Sequence, residues 1–163
     1  MLYKALILLI NLVIPLFIGA FSSYLSMDTF AIYLNLNKPP LSPPGSIFPI
    51  VWTILYILMG IATFLIINKK LDHKITTKLM LVYALSLLAN FMWSIIFFRY
   101  NAYLFAFVWL IILWLLILTL IIMYFKYSKP AALLLVPYLF WVTFAGYLNY
   151  MRKLLTIALA IAT

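Results

Sequence analysis

Five uninterrupted apolar runs, each about 20 residues or longer, leave this 163-residue chain one kind of fold. They occupy about residues 5–24, 47–67, 79–98, 102–125 and 131–151. At 1.5 Å rise per residue, about 20 residues cross a hydrocarbon core about 30 Å thick. Lipid offers no partner to an exposed backbone N–H or C=O, so each run must close its own hydrogen bonds as a helix. The chain therefore reads as an all-α membrane protein, a five-transmembrane-helix bundle with a long Pro-rich first loop. Residues 1–163 form a single membrane domain in this reading. Composition agrees: 69% of residues are hydrophobic and 8% charged, against about 25% charged in a soluble domain.

The charged residues then describe topology. The first run follows Lys4, is long for a signal-peptide core and lacks an A-x-A site, so it reads as a span. With five spans, Lys4, Lys69, Lys70, Lys74, Lys78, Lys126 and Lys129 share one side, and Lys38, Arg99, Arg152 and Lys153 the other. The positive-inside rule places the N-terminus inside, with the first loop and the C-terminus outside. Cationic side chains sit at segment ends and in loops, so no basic stripe suited to nucleic acid arises. Cysteine is absent, and one His with two Asp cannot assemble a metal site. No span interior carries Asp, Glu, His, Lys or Arg, which argues against a proton-coupled exporter. A haem iron would find only Met or Tyr as ligand, so a bound tetrapyrrole would be held by packing and hydrogen bonds. High Lys, Ile and Asn usage points to an AT-rich bacterium and hence to the plasma membrane. The apolar tail after Lys153 is too short to span again. It reads as a helix overrun or an interfacial segment.

Candidate functional residues gather where the first loop meets the second span. Asp28-Thr29 could cap a short helix over residues 30–36. Pro39, Pro40, Pro43 and Pro44 then preclude a helix, while Pro49 sits where a missing N–H costs nothing. Trp52, Tyr56 and Gly60 recur every four residues and share one helix face. A stiff loop feeding an aromatic face suggests the rim and wall of a binding pocket. In the third span Tyr83, Ser86, Asn90, Trp93 and Phe97 form one stripe. Asn90 there is either glue to a neighbouring helix or a donor facing the pocket. The fifth span carries Pro137 and a stripe of Tyr138, Trp141, Ala145 and Leu148. Gly19 with Ser22, Ser23 and Ser26 offers small residues for close helix packing. Aromatic faces converging between helices suit a flat apolar ring ligand. Leu148, Tyr150 and Arg152 also satisfy a loose sterol-contact pattern.

Taken in order, these residues resemble the translocator protein family, the tryptophan-rich sensory proteins (TspO/MBR, peripheral-type benzodiazepine receptors). The resemblance covers about residues 5–152. It rests on Lys38-Pro39, Ser42-Pro43-Pro44-Gly45, Val51-Trp52, Leu55-Tyr56, Met59-Gly60, Asn90, Trp93 and Phe97-Phe98-Arg99. It continues through Pro137-Tyr138, Trp141, Phe144-Ala145 and Leu148-Asn149-Tyr150. What it implies is a five-helix bundle with a pocket under the first loop, in a multi-pass membrane protein that is commonly a homodimer. Family members bind protoporphyrin IX, isoquinoline carboxamides and benzodiazepines, and animal members bind cholesterol. Haem or protoporphyrin IX would be a ligand here, with no cofactor required. Trp52 and Trp141 match tryptophans implicated in porphyrin handling. Asn90, Trp93, Ala145 and Leu148 match pocket positions, and Phe105 stands where animal members carry a pocket Trp. Ile32, Trp109 and the tail after Arg152 depart from the family pattern. The expected function is a membrane receptor or sensor for tetrapyrroles. Lys38 would reach a propionate, and Pro43, Pro44, Tyr56 and Phe97 would complete the ligand-binding set. The alternatives are a light-dependent porphyrin-degrading enzyme, with Trp52 and Trp141 as its catalytic electron partners, and a porphyrin, sterol or lipid transporter.

Overall fold

A computed structural model describes residues 2–26 and 41–162, with side chains to residue 157. The proposed short helix at 30–36, Ile32 and the rim residues Lys38, Pro39 and Pro40 lie outside the described residues. Among the described residues five helices carry the fold: α1 (Leu2–Leu25), α2 (Ile47–Ile67), α3 (His73–Ser94), α4 (Tyr103–Phe125) and α5 (Lys129–Ala162). A π-helical turn, Ile95–Arg99, prolongs α3. All five are long and apolar enough to cross a membrane, and no strand occurs among the described residues. Contacts between helices run α1–α2–α5–α4–α3 and back to α1, which closes a ring.

Helix starts follow local chemistry. The first two N–H groups of α2 donate to the Pro44 and Gly45 carbonyls at 3.0 and 3.3 Å. Pro49 is its third residue, where no intrahelical partner would exist in any case. Asp72 caps α3 by accepting from the Lys74 N–H at 2.9 Å. This cap starts α3 at His73, six residues before the apolar run at Leu79. Hydropathy marks where lipid begins, whereas the cap marks where the helix begins. At the other end α5 continues unbroken through the apolar tail to Ala162. Its 34 residues make about 51 Å of helix, more than a bilayer thickness of about 40–45 Å.

Packing inside the ring uses small residues and a few polar groups. Pro15, buried inside α1, supplies no N–H to the Asn11 carbonyl one turn earlier. That carbonyl faces Gly60 of α2, where an added Cβ would stand 2.5 Å from the oxygen. A Cβ on Gly19 would fall on the Tyr56 ring. The two glycines thus bring α1 and α2 together over about two turns of α1. Side chains fasten the remaining seams. The Ser22 hydroxyl donates to the Phe91 carbonyl at 3.3 Å, and the Trp109 Nε1–H to the Ala89 carbonyl at 2.8 Å. Thr63 and Tyr124 share a 3.2 Å hydroxyl bond between α2 and α4. Asn149 of α5, with its amide oriented to satisfy its neighbours, donates to the Tyr103 carbonyl at 2.8 Å. Its oxygen accepts from the Phe107 N–H at 3.2 Å. One buried side chain therefore serves both partners of a backbone turn in α4.

Candidate functional site

A cavity of about 420 Å³ lies between α1, α2 and the end of α3. Its aromatic wall comes from both sides: Phe48, Trp52 and Tyr56 of α2, and Trp93 and Phe98 of α3 and its π-helical turn. Spacing explains the first set, because residues 48, 52 and 56 stand one above another on α2. The rings touch. Trp52 stacks on Tyr56 with centroids 5.6 Å apart, leans on Trp93 at 6.3 Å and meets the edge of Tyr138 at 6.1 Å. The α1 wall is small and weakly polar, with Leu16, Gly19, Ala20, Ser23 and Ser26. Were Gly19 larger, the Tyr56 ring could not lie where it does.

The π-helical turn sets the far wall. The Tyr100 N–H reaches the Ile95 carbonyl five residues back, at 3.2 Å. A π turn holds more residues than an α turn, so Phe97 and Phe98 both come onto the side of Trp93. Their centroids lie 5.4 and 6.2 Å from it, and 4.8 Å from each other. In an unbroken α-helix Phe98 would point well away from Trp93.

The expected site residues separate into three groups. Trp52, Tyr56 and Trp93 line the cavity. Asn90 and Phe97 stand directly behind it. Asn90, 2% exposed, donates from Nδ2 to the Tyr56 hydroxyl at 3.0 Å and so fixes the wall. The third group lies elsewhere. Trp141 is half-buried on α5 and meets the edge of Phe48 at 5.9 Å, so it touches the site through that ring. Ala145 and Leu148 are buried in the bundle without lining the cavity. Pro43 is half-buried and Pro44 exposed in the approach to α2. Phe105, 55% exposed, faces outward on α4.

The sterol-pattern residues do not share one face. Leu148 is buried, Tyr150 is exposed against Phe107 at 5.5 Å, and Arg152 lies over the Tyr103 ring at 5.6 Å. Phe48, Phe98 and the α1 wall are the site residues that the sequence patterns left out. The i, i+4 step from Phe48 to Trp52 was a usable signal. Phe98 was named only within the family pattern, and its place in the wall depends on the π turn, which spacing does not show.

The cavity wall is almost without charge: no Lys, Arg, His, Asp or Glu lines it among the described residues. Its polar capacity lies in hydroxyls and indoles. The Trp93 Nε1–H and the Ser26 hydroxyl are buried with no protein partner among the described residues. So are the Trp141 Nε1–H and the Tyr138 hydroxyl nearby. An indole N–H can only donate, so these groups suit a molecule that offers acceptors.

A five-helix membrane protein with an internal, aromatic-walled, nearly uncharged cavity is thus the class that fold and site define. The TspO/MBR family model matches residues 11–154, and the chain belongs to that family. It is 38% identical to the tryptophan-rich protein TspO of Chlorobaculum tepidum, over 72% of this chain and 75% of that protein. It is 35% identical to the tryptophan-rich protein TspO of Archaeoglobus fulgidus, over 85% and 88%. With the translocator protein of Bos taurus it shares 34% identity, over 82% and 79%.

Proposed function

We propose that this chain is a membrane receptor for planar, largely apolar ring compounds, tetrapyrroles such as protoporphyrin IX foremost, bound in the cavity between α1, α2 and α3. The observation that carries this reading is the aromatic wall of Trp52, Tyr56 and Trp93 around about 420 Å³, a volume in the usual range of small-molecule sites. Stacking of a flat ring on Trp52 would supply most of the attraction. The Trp93 Nε1–H would donate to a polar atom of the ligand, and Asn90 would act by holding Tyr56. Lys38 is the candidate partner for a propionate. Isoquinoline carboxamide and benzodiazepine compounds share the features this wall suits, aromatic rings with carbonyl acceptors. We further propose an N-terminus inside, on the excess of basic residues on that side, a bacterial plasma membrane, on the Lys-, Ile- and Asn-rich composition, and a homodimer, on the habit of the family.

The test is a titration of the purified protein with protoporphyrin IX, followed by tryptophan quenching in darkness and then under light. Saturable quenching is expected. Trp52→Phe should weaken it about 5- to 12-fold if stacking is worth about 1–1.5 kcal/mol. Trp141→Phe, one ring removed from the cavity, should change it less than threefold. Quenching that never saturates would end the receptor reading. A new spectral species under light, lost in the Trp52→Phe, Trp141→Phe double variant, would replace it with the enzymatic one.

A further inference from the structure

We infer that the outer seam between the start of α4 and the end of α5 is a binding site for one anionic phospholipid. A groove of about 550 Å³ runs along this seam, separate from the aromatic cavity. Leu104, Phe105 and Val108 of α4 and Ile157 of α5 line it, and all four are exposed in the protein. Its polar groups come from one end only, where Lys153 and Thr156 lie a turn apart on α5. Leu104, Phe105 and Val108 run inward from the level of Lys153, the layout of a lipid with its phosphate on the ammonium and its acyl chain along these three side chains, while Ile157 lies one turn outward of that cation.

The floor of the groove is built, which distinguishes it from ordinary lipid-facing surface. Tyr103 donates its hydroxyl to Asn101 Oδ1 at 2.9 Å, and its ring packs on Phe97 with centroids 5.3 Å apart. The Arg152 guanidinium, 6% exposed in the residue as a whole, covers the same ring at 5.6 Å. Asn149 pins the α4 backbone at Tyr103 and Phe107. A preorganised trough avoids the ordering cost that weakens binding to a mobile surface.

Depth agrees as well. Arg99, Tyr100, Arg152 and Lys153 all belong to this end of the bundle, and a cluster of cations and tyrosine is what headgroup depth favours. The Thr156 hydroxyl donates to the Arg152 carbonyl at 3.0 Å, so toward solvent its oxygen can only accept. A headgroup that brings both a phosphate and a hydroxyl, as phosphatidylglycerol does, satisfies Lys153 and Thr156 together. A choline headgroup brings no hydroxyl and sets a second cation beside Lys153.

Native mass spectrometry of the full chain released from nanodiscs of equal phosphatidylglycerol and phosphatidylcholine tests this. The opposite end of the bundle, with Lys69, Lys70, Lys74 and Lys78, will also hold anionic lipid, so the readout is a difference between variants. Lys153→Gln should retain one phosphatidylglycerol fewer than wild type, with phosphatidylcholine unchanged. Val108→Trp, which fills the trough and leaves the cation in place, should lose the same lipid. Unchanged phosphatidylglycerol in both variants would overturn the inference. So would an equal loss of both lipids in Lys153→Gln, because the groove would then be blind to charge.

Discussion

Asn90 illustrates how a single polar residue divides its work in lipid. Its Nδ2 bond to the Tyr56 hydroxyl joins α3 to α2 behind the cavity wall, where no turn of backbone could. In water such a bond nets about 1 kcal/mol. Between membrane helices measured couplings average about 0.6 kcal/mol and reach about 1.7, because the unfolded reference state also finds partners. Asn90→Leu and Tyr56→Phe should each destabilise the protein, and the double variant should cost less than the sum of the two. Thermal unfolding in detergent, read as a double-mutant cycle, should give a coupling of about 0.6–1.7 kcal/mol. Additive effects would mean that the two side chains do not act on each other. The same residue marks the reach of pattern reading. Spacing placed Asn90 on an inward stripe and left open whether it faces a helix or a ligand. Only the position of Tyr56, thirty-four residues away, distinguishes them.

At the scale of the helix, two glycines make opposite predictions. Gly60 of α2 lies against the Asn11 carbonyl that Pro15 leaves without a donor, and an added Cβ would meet that oxygen at 2.5 Å. Backbone cannot rotate aside, so Gly60→Ala must part α1 from α2, at a cost of about 1–3 kcal/mol typical of overpacking. Gly146 of α5 has only the Phe107 ring edge, 4.0 Å from the same construction. Gly146→Ala should leave stability unchanged or raise it by about 0.5–1 kcal/mol through the helix propensity of Ala. A thermal shift of equal sign in both variants would contradict the packing described for α1 on α2. The π turn at residues 95–99 belongs to this scale too. It turns Phe98 into a cavity wall, and nothing in the residues Ile-Ile-Phe-Phe-Arg distinguishes them from an α-helix end.

For the whole molecule, orientation gives the test that needs no ligand. The chain has no cysteine, so one introduced thiol reports one place. Tyr100→Cys, in the exposed turn between α3 and α4, should react with a membrane-impermeant maleimide on intact cells. Lys70→Cys, in the turn between α2 and α3, should react only after permeabilisation. The reverse pattern would put the N-terminus outside.

Hydropathy and periodicity suffice for five spans, their helical state and an aromatic face at Trp52 and Tyr56. The reason is energetic: an unpaired backbone group in hydrocarbon costs several kcal/mol, and periodicity states which residues share a face. Neither determines which faces turn inward. In lipid an apolar side chain is as comfortable outside the bundle as inside, so hydropathy carries no inward signal. Phe105 and Phe48 are both apolar aromatics near the start of a span, yet one faces lipid and the other walls the cavity. That choice was made by the tertiary structure. The ring order, the glycine contacts between α1 and α2 and the π turn after α3 rotate each helix to a fixed angle about its axis, and the cavity exists only once those angles are set.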